Sequence, residues 1–110
     1  MPRQVYTAVV ERNVTWEGAY TTEPYEAGWA AEALIFIRVL KSGASGHSAA
    51  VQVSPDGIRW LDEGTRIRIP EQPDGLTMAR LTHFGNWLRL AGELPPGETC
   101  TVLVYFVLKD

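Results

Sequence analysis

The histidine and cysteine side chains, which most often serve as base, nucleophile or zinc ligand, are His47, His83 and Cys100. A catalytic nucleophile needs a base beside it, and a zinc site needs three or four nitrogen or sulfur ligands. His47 follows a glycine-rich loop, His83 precedes Phe84, and the single cysteine stands apart from both in an apolar run. The spacing therefore predicts no catalytic residue, no cofactor and no zinc site, and it predicts a buried cysteine that only fills space in the core.

Two groups of carboxylates deserve the same test: the adjacent pair Asp62 and Glu63, and Glu71 with Asp74. Paired carboxylates serve glycoside hydrolysis or hold calcium, but they must converge on one point. Adjacent residues on a strand point to opposite faces, so the first pair does not converge. The ligand spacing of an EF-hand is absent from the sequence. We therefore expect a protein that is not an enzyme, while a calcium ion held partly by loop carbonyls stays an open alternative.

The segment SPDGIRW, residues 54–60, places a carboxylate, Asp56, close to an aromatic ring, Trp60. Its proline suits the second position of a type I turn, and Gly57 supplies the positive φ that closes a hairpin. Alternation beyond the turn then directs Trp60 inward and leaves Arg59 facing the other way, free to contact a partner. The segment is thus predicted to be a hairpin turn and not a site of chemistry.

The four tryptophans are the remaining candidates for a binding surface, because aromatic rings flanked by polar groups stack on sugars. Trp60 and Trp87 occur beside hydrophobic strand residues, which favours a position in the core. More polar sequence neighbours surround Trp16, Trp29 and Tyr25. These three are predicted to lie at a rim or a subunit interface.

Length and composition indicate one globular domain spanning residues 1–110, since 45% of the residues are hydrophobic and 21% are charged. The net charge of −3 argues against a nucleic-acid partner, which requires a basic surface. Residues 1–13 lack the apolar segment of a secretory signal, and the longest apolar run, 102–108, is too short to cross a bilayer. We expect synthesis without a signal peptide and no membrane partner.

Short alternating or apolar runs, separated by glycine, proline and aspartate about every ten residues, predict an all-β fold. Helical periodicity is nearly absent, and residues 28–34 are the one stretch that favours a helical turn. The expected architecture is an antiparallel β-sandwich, jelly-roll-like, with about eight strands. The candidate strands are 5–11, 14–20, 33–40, 48–54, 58–62, 66–69, 77–83, 87–91 and 99–108.

Two of these runs, 33–40 and 99–108, are apolar on both faces. One face of each strand in a two-layer sandwich normally meets water and is polar. A strand that is apolar on both faces must be covered on both, either by a loop such as 21–31 or by another subunit. We therefore expect a homo-oligomer. The predicted interface comprises Leu34, Phe36, Leu103, Tyr105 and Val107, with Trp16, Trp29 and Tyr25 near the contact.

The order of these segments resembles small β-sandwich structural proteins encoded among the genes of tailed phages and prophages. The resemblance rests on the Gly/Ser loop at 42–46, on a hairpin of the form Q-x-SPDG-x-x-W at 52–60, and on the aromatic-x-R strand that begins WLRL at 87–90. It spans about two thirds of the chain and is a likeness at the level of the fold. It implies a virion protein, such as a capsid decoration or head or tail accessory component, whose partners are its own copies and a particle protein.

The same S-x-D-G-x-x-W and WLRL pieces are similar to discoidin-like (F5/8 type C) domains, which bind carbohydrate or lipid. That family is longer, and its framing disulfide is absent here because the chain has one cysteine. The alternative implied is a carbohydrate-binding, lectin-like β-sandwich module with a glycan as partner. Its ligand surface would comprise Trp29, Trp60 and Arg59.

Overall fold

The computed structural model describes residues 5–82 and 84–110, and it is all-β: two antiparallel sheets pack face to face, which confirms the predicted fold class. The strands of the described residues are β1 (Val5–Glu17), β2 (Ala19–Thr21), β3 (Tyr25–Glu26), β4 (Glu32–Gly43), β5 (Ser48–Ser54), β6 (Leu61–Arg68), β7 (Leu76–Thr82), β8 (Trp87–Glu93) and β9 (Thr99–Lys109). Sheet A has the order β1-β9-β4-β7. Sheet B has the order β2-β8-β5-β6, and β3 also pairs with β8.

This strand order is that of a jelly roll, in which most connections cross from one sheet to the other, while β5 and β6 form a hairpin within sheet B. Strands β2 and β3 pair with different parts of β8, around Gly92 and around Leu88, so together they occupy one edge position. Pro24, in the gap between them, has no N–H to donate to a ladder. The nine strands of the described chain therefore fill eight positions.

Hydrogen bonds to Thr22 and Glu11 hold the segment between β2 and β3 in place. The Thr22 backbone N–H donates to the Leu90 carbonyl at 2.9 Å, and the Leu90 N–H donates to Thr22 Oγ1 at 2.9 Å. The buried carboxylate of Glu11, on β1, accepts the N–H of Glu23 at 2.7 Å. These bonds replace the missing ladder, since buried backbone groups need partners.

The core lies between the two sheets and is built from alternate residues of each strand, as period-2 alternation requires. One face of the run 33–40, predicted to point inward, does so: Ile35, Ile37 and Val39 are fully buried. At one end, Trp16 stacks on Tyr20 with ring centroids 4.1 Å apart, and burial raises the pKa of the Tyr20 hydroxyl far above its usual range. The rest of the large buried side chains include Val51, Ile67, Leu88, Leu90, Leu94, Val102, Phe106 and Leu108.

Several predicted strand boundaries are wrong, because a pattern of alternating apolar residues does not reveal where strand pairing is irregular. The predicted strands 5–11 and 14–20 form one strand, β1, up to Glu17, and its register with β9 shifts on both sides of Glu11. The predicted strands 58–62 and 66–69 likewise merge into β6, with a register shift against β5.

The stretch 28–34 is not a helical turn but a tight turn in which the Ala30 N–H donates to the Ala27 carbonyl at 3.0 Å, and β4 begins at Glu32. The predicted strand 77–83 is β7, ending at Thr82. Its last predicted residue, His83, lies outside the described residues.

Candidate functional site

The outward-facing side of sheet A carries a broad apolar surface. Its side chains come from all four strands, and one row crosses the whole sheet: Val9 pairs with Tyr105, Tyr105 with Phe36, and Phe36 with Met78. Directly opposed side chains on neighbouring strands are about 5 Å apart, so such a row is continuous. We call this surface the outer face of sheet A, and its apolar members are Val5, Val9, Leu34, Phe36, Leu40, Leu76, Met78, Leu103, Tyr105 and Val107.

These side chains are half-buried or exposed, and none reaches the core. Leu76 and Met78, on the edge strand β7, are 57% and 44% exposed, while the central Phe36 and Tyr105 shield each other and are half-buried. A face four strands wide and about 20 Å long covers roughly 300 to 400 Å² in projection. An apolar patch of that size on a soluble protein is often a contact surface.

Charged residues lie on this face and at one end of it. Arg38 projects from the face between Leu103 and Leu76 on the neighbouring strands and donates to Asp74 at 2.9 Å, and hydrogen bonds to Asp74 and Tyr105 raise the pKa of the Arg38 guanidinium. Arg80, opposite Leu34 on the edge strand, is exposed on the same side. At one end of the face Glu32 and Lys109 are cross-strand neighbours, beside an open groove of about 310 Å³. An apolar centre with a polar rim is the usual anatomy of a protein interface.

Sequence reasoning found five members of this face. Leu34, Phe36, Leu103, Tyr105 and Val107 all project from its two central strands, β4 and β9. The structure therefore brings the main predicted interface residues together on one surface. It also adds a part that the sequence prediction missed, the flanking side chains of β1 and β7, because strand neighbours are not visible in one sequence.

Two residues predicted near the contact are misplaced. Trp16 is 2% exposed and stacks on Tyr20 inside the sandwich, and its indole Nε1 has no hydrogen-bond partner among the described atoms. Tyr25, on β3, packs edge-on against the buried Phe106 at 6.0 Å between centroids. Both rings face the core, so neither can join a contact on the outer face of sheet A.

Trp29 is the exception among the predicted aromatic contacts. It is 45% exposed, in the turn before β4, where the Ala31 N–H donates to the Lys109 carbonyl at 2.8 Å. Trp29 thus lies near the Glu32 and Lys109 end of the outer face of sheet A. Among the described residues no ring contact joins it to Trp60, so the ligand surface predicted from Trp29, Trp60 and Arg59 is not assembled as one aromatic cluster.

The segment 54–60 is a hairpin connection between β5 and β6, as predicted, but side chains close it rather than backbone geometry alone. Ser54 Oγ accepts the N–H groups of Asp56 and Gly57 at 3.2 and 2.8 Å, and Gly57 has the expected positive φ of 78°. Asp56 Oδ1 accepts the N–H groups of Ile58 and Arg59 at 2.9 and 3.0 Å. These bonds delay the start of β6 to Leu61.

The side chains that follow this turn do not point as predicted. Trp60 is half-buried but absent from the core, because it precedes the strand and lies over the outward side of sheet B. Arg59 is not free, since its Nη1 donates to Asp56 Oδ2 at 3.2 Å. Trp87 is also outside the core; its ring lies against Gly57, where a Cβ would come within 3.2 Å of it.

A cluster of four residues on the outward side of sheet B was not predicted from the sequence. Arg89 Nε donates to Gln52 Oε1 at 2.8 Å, Gln52 Nε2 donates to Asp62 Oδ1 at 3.0 Å, and the Arg89 guanidinium lies 4.2 Å from the centre of the Trp60 ring. We call it the Arg89 cluster. The Q-x-SPDG-x-x-W and WLRL pieces were the signal, because they contain Gln52, Trp60 and Arg89, which the fold brings together.

We expect the turn at 54–60 to make folding sensitive to acid. The N–H groups of Arg59 and Ile58 lower the pKa of the Asp56 carboxyl below its ordinary value. A native pKa below the unfolded value, about 3.9, stabilises the fold fully above that value, and the contribution is lost as the pH falls through the native pKa. The urea midpoint measured between about pH 6 and about pH 2 should therefore fall less in Asp56→Asn than in the parent. Identical pH dependence in both proteins would show that the turn contributes nothing to acid sensitivity.

The remaining candidates for chemistry do not converge. His47 Nε2 lies 3.1 Å from Glu98 Oε1, and Glu71 accepts from Gly46 and Arg68, which lowers the pKa of its carboxyl. Among residues 5–82 and 84–110, no three His, Cys, Asp or Glu side chains come together as metal ligands would. The Cys100 thiol is buried, as predicted, and burial raises its pKa.

The described part of the chain contains no helix of sufficient length and apolar character to cross a membrane. Comparison of the chain with known protein families, with curated proteins and with solved structures finds no match. The geometry of the two outward faces is therefore what any proposal of function must rest on.

Proposed function

We propose that this protein is a non-enzymatic structural protein that assembles with copies of itself through the outer face of sheet A. The observation that carries the proposal is the unbroken apolar row from Val9 through Tyr105 and Phe36 to Met78, with apolar neighbours on either side. Nothing in the described fold covers this row, since the loop 21–31 pairs with β8 and the end of β9 instead. A second copy of the chain supplies the missing cover.

The chemistry of the face suits a second copy of itself. Two such faces pack about 10 Å apart with interdigitated apolar side chains, as the layers of a sandwich do. The face carries both signs of charge, Arg38 on one side of the apolar row and Glu32 on the other, so a two-fold arrangement can bring unlike charges together. Full burial of a large apolar side chain contributes about 1.5 to 3 kcal/mol, against an association cost of roughly 4 to 15 kcal/mol. Ten apolar members suffice to offset that cost.

We extend the proposal to a virion component, such as a capsid decoration or a head or tail accessory protein. Two observations support this extension. The jelly roll recurs in viral capsid proteins, and the Q-x-SPDG-x-x-W hairpin and WLRL strand resemble those of small tailed-phage structural proteins. Such a protein acts through contacts with its own copies and with a particle surface, and it needs no cofactor.

A glycan-binding module is the second candidate, because jelly rolls also recur among lectins. One observation favours it: Trp29 exposes 45% of its surface in a loop, where a sugar ring can stack on it. Trp60 favours it less, since Arg89 covers one face of its ring. We therefore place self-assembly first.

The mass of the protein in solution tests the proposal directly. We expect light scattering to give a multiple of the 12.2 kDa chain mass at micromolar concentration, with the mass falling on dilution. A concentration-independent mass of one chain up to high micromolar concentration would contradict self-assembly through this face.

A further inference from the structure

Arg89 is an unusual arginine because it is half-buried and takes part in no ion pair among the described residues. Arg38, Arg59 and Arg68 each face a carboxylate. Burial lowers the pKa of the Arg89 guanidinium, but an arginine keeps its proton in proteins and stays charged at neutral pH. The fold thus holds a positive charge on the middle of a sheet without neutralising it.

The contacts of Arg89 fix its guanidinium in one orientation. Gln52 Oε1 accepts a hydrogen bond from Arg89 Nε at 2.8 Å, and Gln52 Nε2 in turn donates to Asp62 Oδ1 at 3.0 Å. The flat side of the guanidinium rests on Trp60 at 4.2 Å. The register explains why these residues meet: Gln52 lies directly between Asp62 and Arg89 on neighbouring strands.

This arrangement uses one of the five N–H donors of the guanidinium and leaves the two terminal amino groups without an acceptor among the described residues. The next row of the sheet beside it carries only small side chains on two strands, Ala50 and Ala91. Arg66, which pairs with Ala50 across the strands, is exposed and joins no ion pair in the described part of the chain. The surface beside Arg89 is therefore low and carries a second arginine, while the Asp62 carboxylate lies two strands away and is bonded to Gln52.

We propose that the Arg89 cluster is a binding site for an oxyanion, a carboxylate or phosphate group, which the terminal amino groups of Arg89 bind through two parallel hydrogen bonds. An arginine fork matches the two oxygens of such a group, and an orientation fixed in advance lowers the entropy cost of binding. The site lies on sheet B, on the opposite side of the sandwich from the proposed assembly face, so it is accessible in a dimer formed through sheet A.

The experiment follows the Trp60 indole and Arg89 Nε–H resonances by NMR in the full chain with three probes: trigalacturonate, its neutral methyl ester, and inorganic phosphate. We expect the two anions to shift these resonances and the ester not to. Arg89→Lys keeps the charge but loses the fork, and it should weaken binding roughly tenfold. Arg59→Lys, a matched change at the neighbouring arginine that is paired with Asp56, should leave binding unchanged.

Each outcome decides the proposal. Binding of both anions supports a general oxyanion site, and binding of trigalacturonate alone supports a site for carboxylated sugars. No shift with either anion at millimolar concentration, equal binding of the ester, or equal binding by Arg89→Lys overturns it. If Arg89→Lys does not fold, Gln52→Ala, which keeps the arginine but removes its orienting acceptor, should weaken the same binding, and undiminished affinity there would equally overturn the proposal.

Discussion

The double variant Leu103→Asp, Tyr105→Lys will remain folded but will not assemble. Both side chains lie at the centre of the outer face of sheet A on β9, and neither contributes to the core. Losing their burial removes about 3 to 6 kcal/mol from each contact between copies, and charges placed between two apolar sheets add a desolvation cost. That loss corresponds to an association at least about a hundredfold weaker. Light scattering should then give the mass of a single chain, with an unchanged far-UV circular dichroism spectrum.

The control for this variant places the same new charges on the other outward face. Thr21→Lys with Ser48→Asp changes polar residues that face outward on sheet B, and it should leave the assembly mass unchanged. Loss of assembly in the control alone would move the contact to sheet B. A folded Leu103→Asp, Tyr105→Lys protein with the parent mass would defeat the proposed function.

The largest loss of stability is expected from Phe106→Ala. Phe106 is fully buried between the sheets and contacts Tyr25 edge-on, so its truncation leaves a cavity and should lower the free energy of unfolding by about 3 to 5 kcal/mol. Phe36→Ala makes the same chemical change on the outward side of the neighbouring strand, where the ring is half-buried. We expect at most about half the loss there, measured by urea unfolding of dilute protein.

The two phenylalanines should also differ in their concentration dependence. A contact between copies binds the folded chain only, so the parent melting temperature should rise with protein concentration. Phe36→Ala should remove that rise, whereas Phe106→Ala should lower the melting temperature at every concentration. Equal effects of the two variants would mean that the two sides of β4 and β9 are not distinguished as the structure describes.

Simple alternation predicted much of this fold because most strands are regular. Ile35 and Phe36 were assigned to opposite faces from the sequence alone, and the structure places one in the core and the other outside. Period-2 alternation needs only local information. The neighbours of Phe36 across the sheet, Tyr105 and Met78, depend on strand order, which requires contacts distant in sequence.

The failures have two physical causes. Trp16 was predicted at a rim because its sequence neighbours are polar, but it shares the inward side of β1 with Ala8 and pairs with the buried Cys100, so its ring lies in the core. Trp60 was expected to lie in the core because alternation was applied to residues that are still in the turn. The side chains of Ser54 and Asp56 lengthen that turn by accepting hydrogen bonds from its backbone N–H groups. Such bonds compete with strand pairing, and they leave no periodic pattern in the sequence from which they could be predicted.

The pairing of β1 with β9 has a consequence for what the protein can display. Val5 and Lys109 are cross-strand partners, so the two ends of the described chain leave the sandwich at one corner, about 5 Å apart. Segments that continue from Val5 and from Lys109 therefore start at the same corner, beside the Glu32 end of the outer face of sheet A. In the two-fold arrangement that brings Arg38 of one copy beside Glu32 of the other, these corners lie at opposite ends of the contact, and a bulky fusion would test by steric hindrance how close the copies come.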